Sequence, residues 1–345
     1  MFVHISAAER YGLSTLNDDQ VASSRQKRIN VPASSELAIL TESCTFMNRP
    51  QRDDETGGDN LLLGVVLMVL GMAVLNAMDA ISKLLTIDYT GVQVAWARYA
   101  FHLVPLVALA GPARIRRMVR TINPKAQILR SASLAISAVC IILAFSLMPL
   151  ADAIAISFIA PLMVVALSAR FLGEHVGPHR WVAVIVGFAG TLVLVWPKGN
   201  VFELGALFAV AAAVFWAIGL LMTRHVRGDD PWSTLFYTAL IGTVLLSLVV
   251  PFFWRFPSTT AWGLMLAMGL LGGVAHALII LAFRNASASL LAPYNYTLLV
   301  WATFYGWLLF HELPSLRASV GAAIIVAAGL YAGYRERLAA QRPKG

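Results

Sequence analysis

Charge is scarce in this chain. Asp, Glu, Lys and Arg make up 13% of 345 residues, against about 25% in an ordinary soluble domain. Most of the chain therefore does not face water. Cysteine is scarcer still: Cys44 lies in a polar stretch and Cys140 in an apolar run, so no disulfide framework can form. Asp79 is the only acid well inside an apolar run, so no carboxylate cluster is placed to hold a divalent metal. His311-Glu312 and Glu174-His175 lie at the ends of apolar runs and lack further ligands at metal spacing. No Gly-rich loop ending in Lys-Ser or Lys-Thr is present to cradle a nucleotide. The expectation is a chain with no catalytic residues, no metal and no cofactor. An intramembrane enzyme or a purely structural membrane protein is a remote alternative.

What the chain has instead is apolar sequence: 59% of its residues are hydrophobic and the mean hydropathy is +0.73. Its formal charge of +8 does not point to nucleic acid, because the basic residues sit between apolar runs. There they orient helices in a bilayer. Residues 1–60 are polar and read as disordered, without the charged and apolar regions of a signal peptide. Met47 offers an alternative start that would leave residues 1–46 untranslated.

A helix needs roughly 20 apolar residues to cross about 30 Å of hydrocarbon. Ten runs meet that need approximately: 61–84, 92–110, 127–147, 150–171, 180–196, 202–223, 233–254, 261–283, 287–310 and 316–334. With the N-terminus inside, the outer connections hold only Lys83, Lys198, Arg255 and Arg317. The inner ones hold the rest, including Arg114, Arg116, Arg117, Arg120, Lys125 and Arg130. This bias places both termini in the cytoplasm. Trp96, Trp181, Trp196, Trp232, Trp254 and Trp262 fall at span ends, as an aromatic belt requires. Trp216, Trp301 and Trp307 do not, and need packing or lining roles.

The chain also repeats itself. Leu143-Ala144-Phe145 recurs as Leu281-Ala282-Phe283, and Glu174 recurs as Glu312 at the same offset. The expected fold is all-α and integral to the membrane, with ten transmembrane helices as two five-helix repeats. They occupy 61–196 and 202–334, followed by a basic cytoplasmic tail at 335–345. An odd number of spans per repeat inverts the second copy relative to the first. Inverted repeats with a site between them are the architecture of secondary carriers.

The motifs that carry this repeat are Ala160-Pro161 through Phe171-Leu172-Gly173-Glu174, then Gly187-Phe188-Ala189-Gly190. In the second half they are Gly306-Trp307-Leu308-Leu309-Phe310-His311-Glu312, then Ala327-Ala328-Gly329. In these the chain resembles the drug/metabolite transporter superfamily, EamA type, over about 61–334. Two departures separate the copies: Leu299 stands where the first has Pro161, and His311 where it has Gly173. Asp79-Ala80-Ile81-Ser82-Lys83, Trp96-Ala97-Arg98-Tyr99 and His102 are similar to a bacterial subgroup that includes riboflavin importers and S-adenosylmethionine carriers. The resemblance implies a multi-pass protein of the bacterial inner membrane. Its implied partners are a small-molecule substrate and lipid, with no nucleic acid. A homodimer through glycine seams is open.

A charged side chain in hydrocarbon costs about 2.5–3.5 kcal/mol on insertion scales. Asn76, Asp79 and Lys83 are spaced three and four apart on one helix face, and Arg98 and His102 lie one turn apart at matching depth. These residues read either as a polar patch that admits substrate or as a pair joining two helices, with Lys83 and Arg98 snorkelling to the interface. His276 lies mid-helix and can bind substrate, carry a proton or bridge helices. Gly269, Gly272 and Gly273 beside it allow close helix approach. Tyr294, Trp301 and Tyr305 share a helical face, with Asn295 beside them, and suit a planar ligand with polar edges. Asp152 reads as an N-cap, and Glu174 and Glu312 as contacts fixing the repeat. The substrate site is therefore expected at Asn76, Asp79, Arg98, His102, His276, Tyr294, Asn295, Trp301 and Tyr305. The leading function is riboflavin import; the alternatives are export of amino acids or related metabolites and carriage of S-adenosylmethionine.

Overall fold

The computed structural model describes residues 57–108, 115–116, 118–171, 177–195, 200–226, 228–286 and 288–341. Glu174, Met47 and the end of the basic tail lie outside the described residues. Every regular element among them is helical. In chain order they are α1 (Gly57–Leu85), α2 (Gly91–Ala108), α3 (Pro124–Leu147), α4 (Leu150–Ser157), α5 (Ala160–Phe171) and α6 (Pro178–Val195). Then follow α7 (Asn200–Thr223), α8 (Pro231–Val249), α9 (Thr259–Asn285), α10 (Ala288–Leu291), α11 (Thr297–Phe310) and α12 (Leu316–Gln341).

Local chemistry sets these boundaries. Asn123 caps α3 by accepting from the Ala126 N–H, with Pro124 in the first turn. Asp230 accepts from the Trp232 N–H ahead of Pro231, and Ser258 from the Ala261 N–H. Such caps satisfy amides that the helix leaves unpaired. Pro161 has no N–H and crowds the carbonyl four residues back, so the expected span 150–171 divides into α4 and α5 at Phe158-Ile159. Pro293 does the same to 287–310, where α10, a 3₁₀ turn over Ala292–Tyr296 and α11 follow one another. At its other end α12 continues past 334 to Gln341, because Arg335, Glu336, Arg337, Leu338, Ala339 and Ala340 are all good helix formers.

Among the described residues seven helical stretches are long and apolar enough to cross a bilayer: Leu61–Leu85, Pro124–Leu147, Leu150–Arg170, Leu204–Thr223, Trp232–Phe253, Thr259–Asn285 and Leu316–Arg335. Trp181–Leu194 is apolar but shorter. α2 carries Pro105 inside a continuous helix, and the fourteen-residue α11 is shorter than its expected span. The surface is apolar, with Leu192 69% and Leu207 64% exposed, and lipid rather than water is the solvent it fits. The interior is rich in alanine, including Ala80, Ala95, Ala97, Ala144, Ala206 and Ala209. Small residues let backbones approach closely where no water drives packing.

Helix α1 packs along α9, α3 along α7 and α6 along α12; α2 lies against α8 and α9, and α8 against α2 and α3. A side chain on Gly269 would meet the Phe101 backbone at 2.4 Å, which shows how closely α9 crosses α2.

Candidate functional site

Where α1, α2 and α9 meet, polar side chains gather inside the bundle. Asp79 is buried, and its Oδ1 accepts from Arg98 Nη1 at 2.9 Å. The pair joins α1 to α2, and Arg98 does not snorkel outward. One turn further, the His102 and His276 rings meet edge to face with centroids 5.6 Å apart. Gly272 makes that room: a Cβ there would stand 3.0 Å from Met78 Sδ and 3.2 Å from His102 Nδ1. His276 Nδ1 lies 2.7 Å from the Gly272 carbonyl. A carbonyl can only accept, so Nδ1 carries a proton and Nε2 is left to face other groups. Asn76 donates to the Leu298 carbonyl on α11 at 3.3 Å, while its Oδ1 is buried with no partner.

On α11 the Trp301 and Tyr305 rings are neighbours at 6.4 Å, and the buried Trp301 Nε1 has no hydrogen-bond partner. Tyr294 does not follow the same geometry. It sits in the 3₁₀ turn, where the helical period changes from 3.6 to 3.0 residues, and is 36% exposed. The straight-helix spacing that put Tyr294 on the face of Trp301 and Tyr305 fails at Pro293. Asn295, in the same turn, is half-buried. Trp216 and Trp307 are about half exposed on the apolar surface, so Trp301 is the inward one of the three tryptophans outside the belt.

Lys83 also turns inward rather than snorkelling. Its Nζ lies 2.5 Å from Glu312 Oε2 and 3.0 Å from the Met148 carbonyl, with the Phe310 ring 4.9 Å away. Asp152 stands within electrostatic reach of Lys83. Pro149, not Asp152, occupies the N-cap of α4; Asp152 lies in the first turn and is buried, one face of a cavity of about 80 Å³ that Thr303 and Ser319 also line. Among the described residues no three His, Cys, Asp or Glu side chains converge as a metal site.

Sequence reasoning missed Arg130 by treating it as an inner-loop orienting charge. It lies inside α3 and donates to Thr223 Oγ1 at 2.8 Å, Thr238 Oγ1 at 2.6 Å and the Thr234 carbonyl at 3.5 Å. Gln127, Arg130 and Ser131 share one helical face, and that polar stripe in an apolar run was the available signal. Tyr296 was missed as well: its ring stacks on Phe158 at 5.1 Å.

Comparison with known proteins adds to this geometry. The EamA-like transporter family profile matches residues 203–332. The chain is 29% identical over 285 residues to an S-adenosylmethionine uptake transporter of Rickettsia conorii, covering 81% of this chain and 96% of that protein. It is 33% identical over 238 residues to a riboflavin transporter of Vibrio cholerae, covering 68% and 79%. A pseudopaline exporter of Pseudomonas aeruginosa is 29% identical over 285 residues, covering 78% and 95%. A protein of known crystal structure has the same fold, with a TM-score of 0.55 at 19% identity over 81% of this chain and 98% of its own.

Proposed function

The chain belongs to the EamA-like transporter family of the drug/metabolite transporter superfamily, and from that premise we propose that it is a secondary carrier of a charged organic metabolite, not an enzyme. It sits in the bacterial inner membrane with both termini cytoplasmic, moves its substrate by alternating access and has ten spans as two inverted repeats. The observation that carries the substrate site is the Asp79–Arg98 pair beside His102 and His276, held jointly by α1, α2 and α9. Those helices come from both halves, where inverted-repeat carriers keep their site.

Three observations support the repeat. Met148 and Ala286, at the same offset as Leu143 and Leu281, both end a helix with extended backbone, φ −150 ψ 165 and φ −149 ψ 154. Each donates its N–H to a repeat-equivalent alanine, Ala144 or Ala282. Phe158 and Tyr296 are likewise equivalents, and their rings stack on each other. A residue meets its own equivalent only on a two-fold axis. Helix partners also exchange as such an axis requires: α1 with α9 answers α7 with α3, and α2 with α9 answers α8 with α3.

A charged substrate fits the four titratable side chains better than a neutral one, and S-adenosylmethionine is the first compound to test, given the Rickettsia relative. Riboflavin is the second reading, supported by the Trp301–Tyr305 wall with its unpartnered indole N–H and by the Vibrio relative. The test is uptake of labelled S-adenosylmethionine and of labelled riboflavin into proteoliposomes, with wild type and Asp79→Asn. Saturable uptake of one compound, with Asp79→Asn reducing kcat/KM about tenfold or more (about 1.4 kcal/mol), is the expected result. Wild-type rates in Asp79→Asn would remove the pair from the site.

A further inference from the structure

Arg130 is a half-buried cation whose hydrogen-bond acceptors among the described residues are all neutral. Two threonine hydroxyls and one carbonyl take its Nε and Nη1 protons, and none of these bonds uses Nη2. Glu312 pairs with Lys83 and Asp79 with Arg98, so neither of these acids pairs with it. Asp229 is occupied elsewhere, accepting from Thr121, the Ile122 N–H and Gln127. Beside Arg130 on the same face, Ser131 is fully buried and its Oγ has no partner. A guanidinium held partly out of water beside a fully buried, unpartnered hydroxyl is a place where an anion is favoured.

Arg130 also belongs to the central cluster rather than to a separate patch. Tyr99, the residue after Arg98 on α2, donates to the Leu134 carbonyl at 2.9 Å, one turn of α3 from Arg130. Two guanidiniums thus stand in this neighbourhood, and Asp79 is the acid that opposes them there. The fixed charge is one positive in excess.

We infer that Arg130 anchors a carboxylate of the substrate, with the Ser131 hydroxyl donating to the anion and the Thr223 and Thr238 hydroxyls holding the guanidinium in place. Nη2, which none of those bonds uses, is left to give a carboxylate a charge-assisted hydrogen bond. The inference rests on reading the cluster as the transport site, and it selects anionic or zwitterionic metabolites over neutral ones such as riboflavin. Asp79 then faces the cationic end of a zwitterion, and Arg130 the anionic end.

The test uses purified full-length protein in detergent micelles, with melting temperature as the readout. The probes are S-adenosylmethionine, 5′-methylthioadenosine (the same thioether nucleoside without the amino-carboxylate arm), riboflavin, and a panel of amino and dicarboxylic acids beside their amides. At least one carboxylate is expected to stabilise wild type more than its carboxylate-free counterpart. Arg130→Gln should weaken its apparent affinity tenfold or more, and Arg130→Lys less. Comparable expression and monodispersity of Arg130→Lys guard against a folding defect in the glutamine variant. The inference is overturned if every carboxylate and its counterpart act alike, if riboflavin alone stabilises, or if Arg130→Gln binds as wild type does. Proteoliposome uptake separates the two readings. Arg130-dependent binding without uptake would sink the carrier reading alone, whereas uptake insensitive to Arg130→Gln would sink the anchor alone.

Discussion

His311 has φ 54, a positive value that no other non-glycine among the described residues takes. It ends α11 in the left-handed region, where its N–H bonds the Trp307 carbonyl and the next amide bonds that of Gly306. That is the Schellman closure, which favours glycine because a Cβ is strained there. The geometry turns the chain so that Glu312 meets Lys83. His311→Val should therefore melt below His311→Gly, by about 1–2 kcal/mol for a branched side chain in the left-handed region. Thermal unfolding in detergent checks this, and equal melting temperatures would contradict it. The sequence already held a clue, since Gly173 stands 138 residues before His311, the offset that also separates Glu174 from Glu312.

Elements in this fold meet by backbone contact. A Cβ on Gly190 would stand 2.8 Å from Ile324 Cγ2 and 3.1 Å from the Gly321 carbonyl; one on Gly321 would stand 2.8 Å from the Gly190 carbonyl. The α6–α12 seam thus depends on both glycines, and Gly190→Leu is expected to destabilise by about 1–3 kcal/mol through overpacking. Gly333 is the control: nothing lies within 4 Å of its Cβ position, so Gly333→Leu should leave the melting temperature unchanged or slightly raised. If both variants melt alike, the seam is not what the glycines serve. Glycines on these helices were legible in the sequence as packing sites. Which ones are in contact was not, because a helical period gives a face but not the neighbour that covers it.

Across the whole molecule, Asp229 links the α7–α8 connection to the α2–α3 connection and to α3. It accepts from Thr121 Oγ1 at 2.5 Å, the Ile122 N–H at 2.8 Å and Gln127 Nε2 at 2.8 Å. Partial burial raises its pKa, but those three hydrogen bonds together outweigh it and leave the carboxyl below its ordinary value. A lowered pKa means the tie contributes stability above the unfolded value near 3.9. That contribution is lost as pH falls through the folded value. Wild type should therefore exceed Asp229→Asn in stability at neutral pH, with the difference shrinking as pH drops below about 4. Melting curves against pH measure it. A difference that persists unchanged in acid would assign the effect to packing.

The sequence by itself determined the solvent and the class. Scarce charge, long apolar runs and basic residues between them dictate a membrane bundle, because hydrocarbon rejects charge and leaves backbone groups no partner but one another. It also marked the polar side chains of α1, α2 and α9, since each is expensive in lipid and stands out against its run. Tertiary structure decided what each of them touches. It turned Lys83 inward to Glu312, broke the expected spans at Pro161 and Pro293, moved Tyr294 out of the face of Trp301 and set Arg130 of α3 against Thr223 of α7 and Thr238 of α8. Contacts of that kind join residues far apart in the chain, and no local period encodes them. They are fixed only when the helices pack.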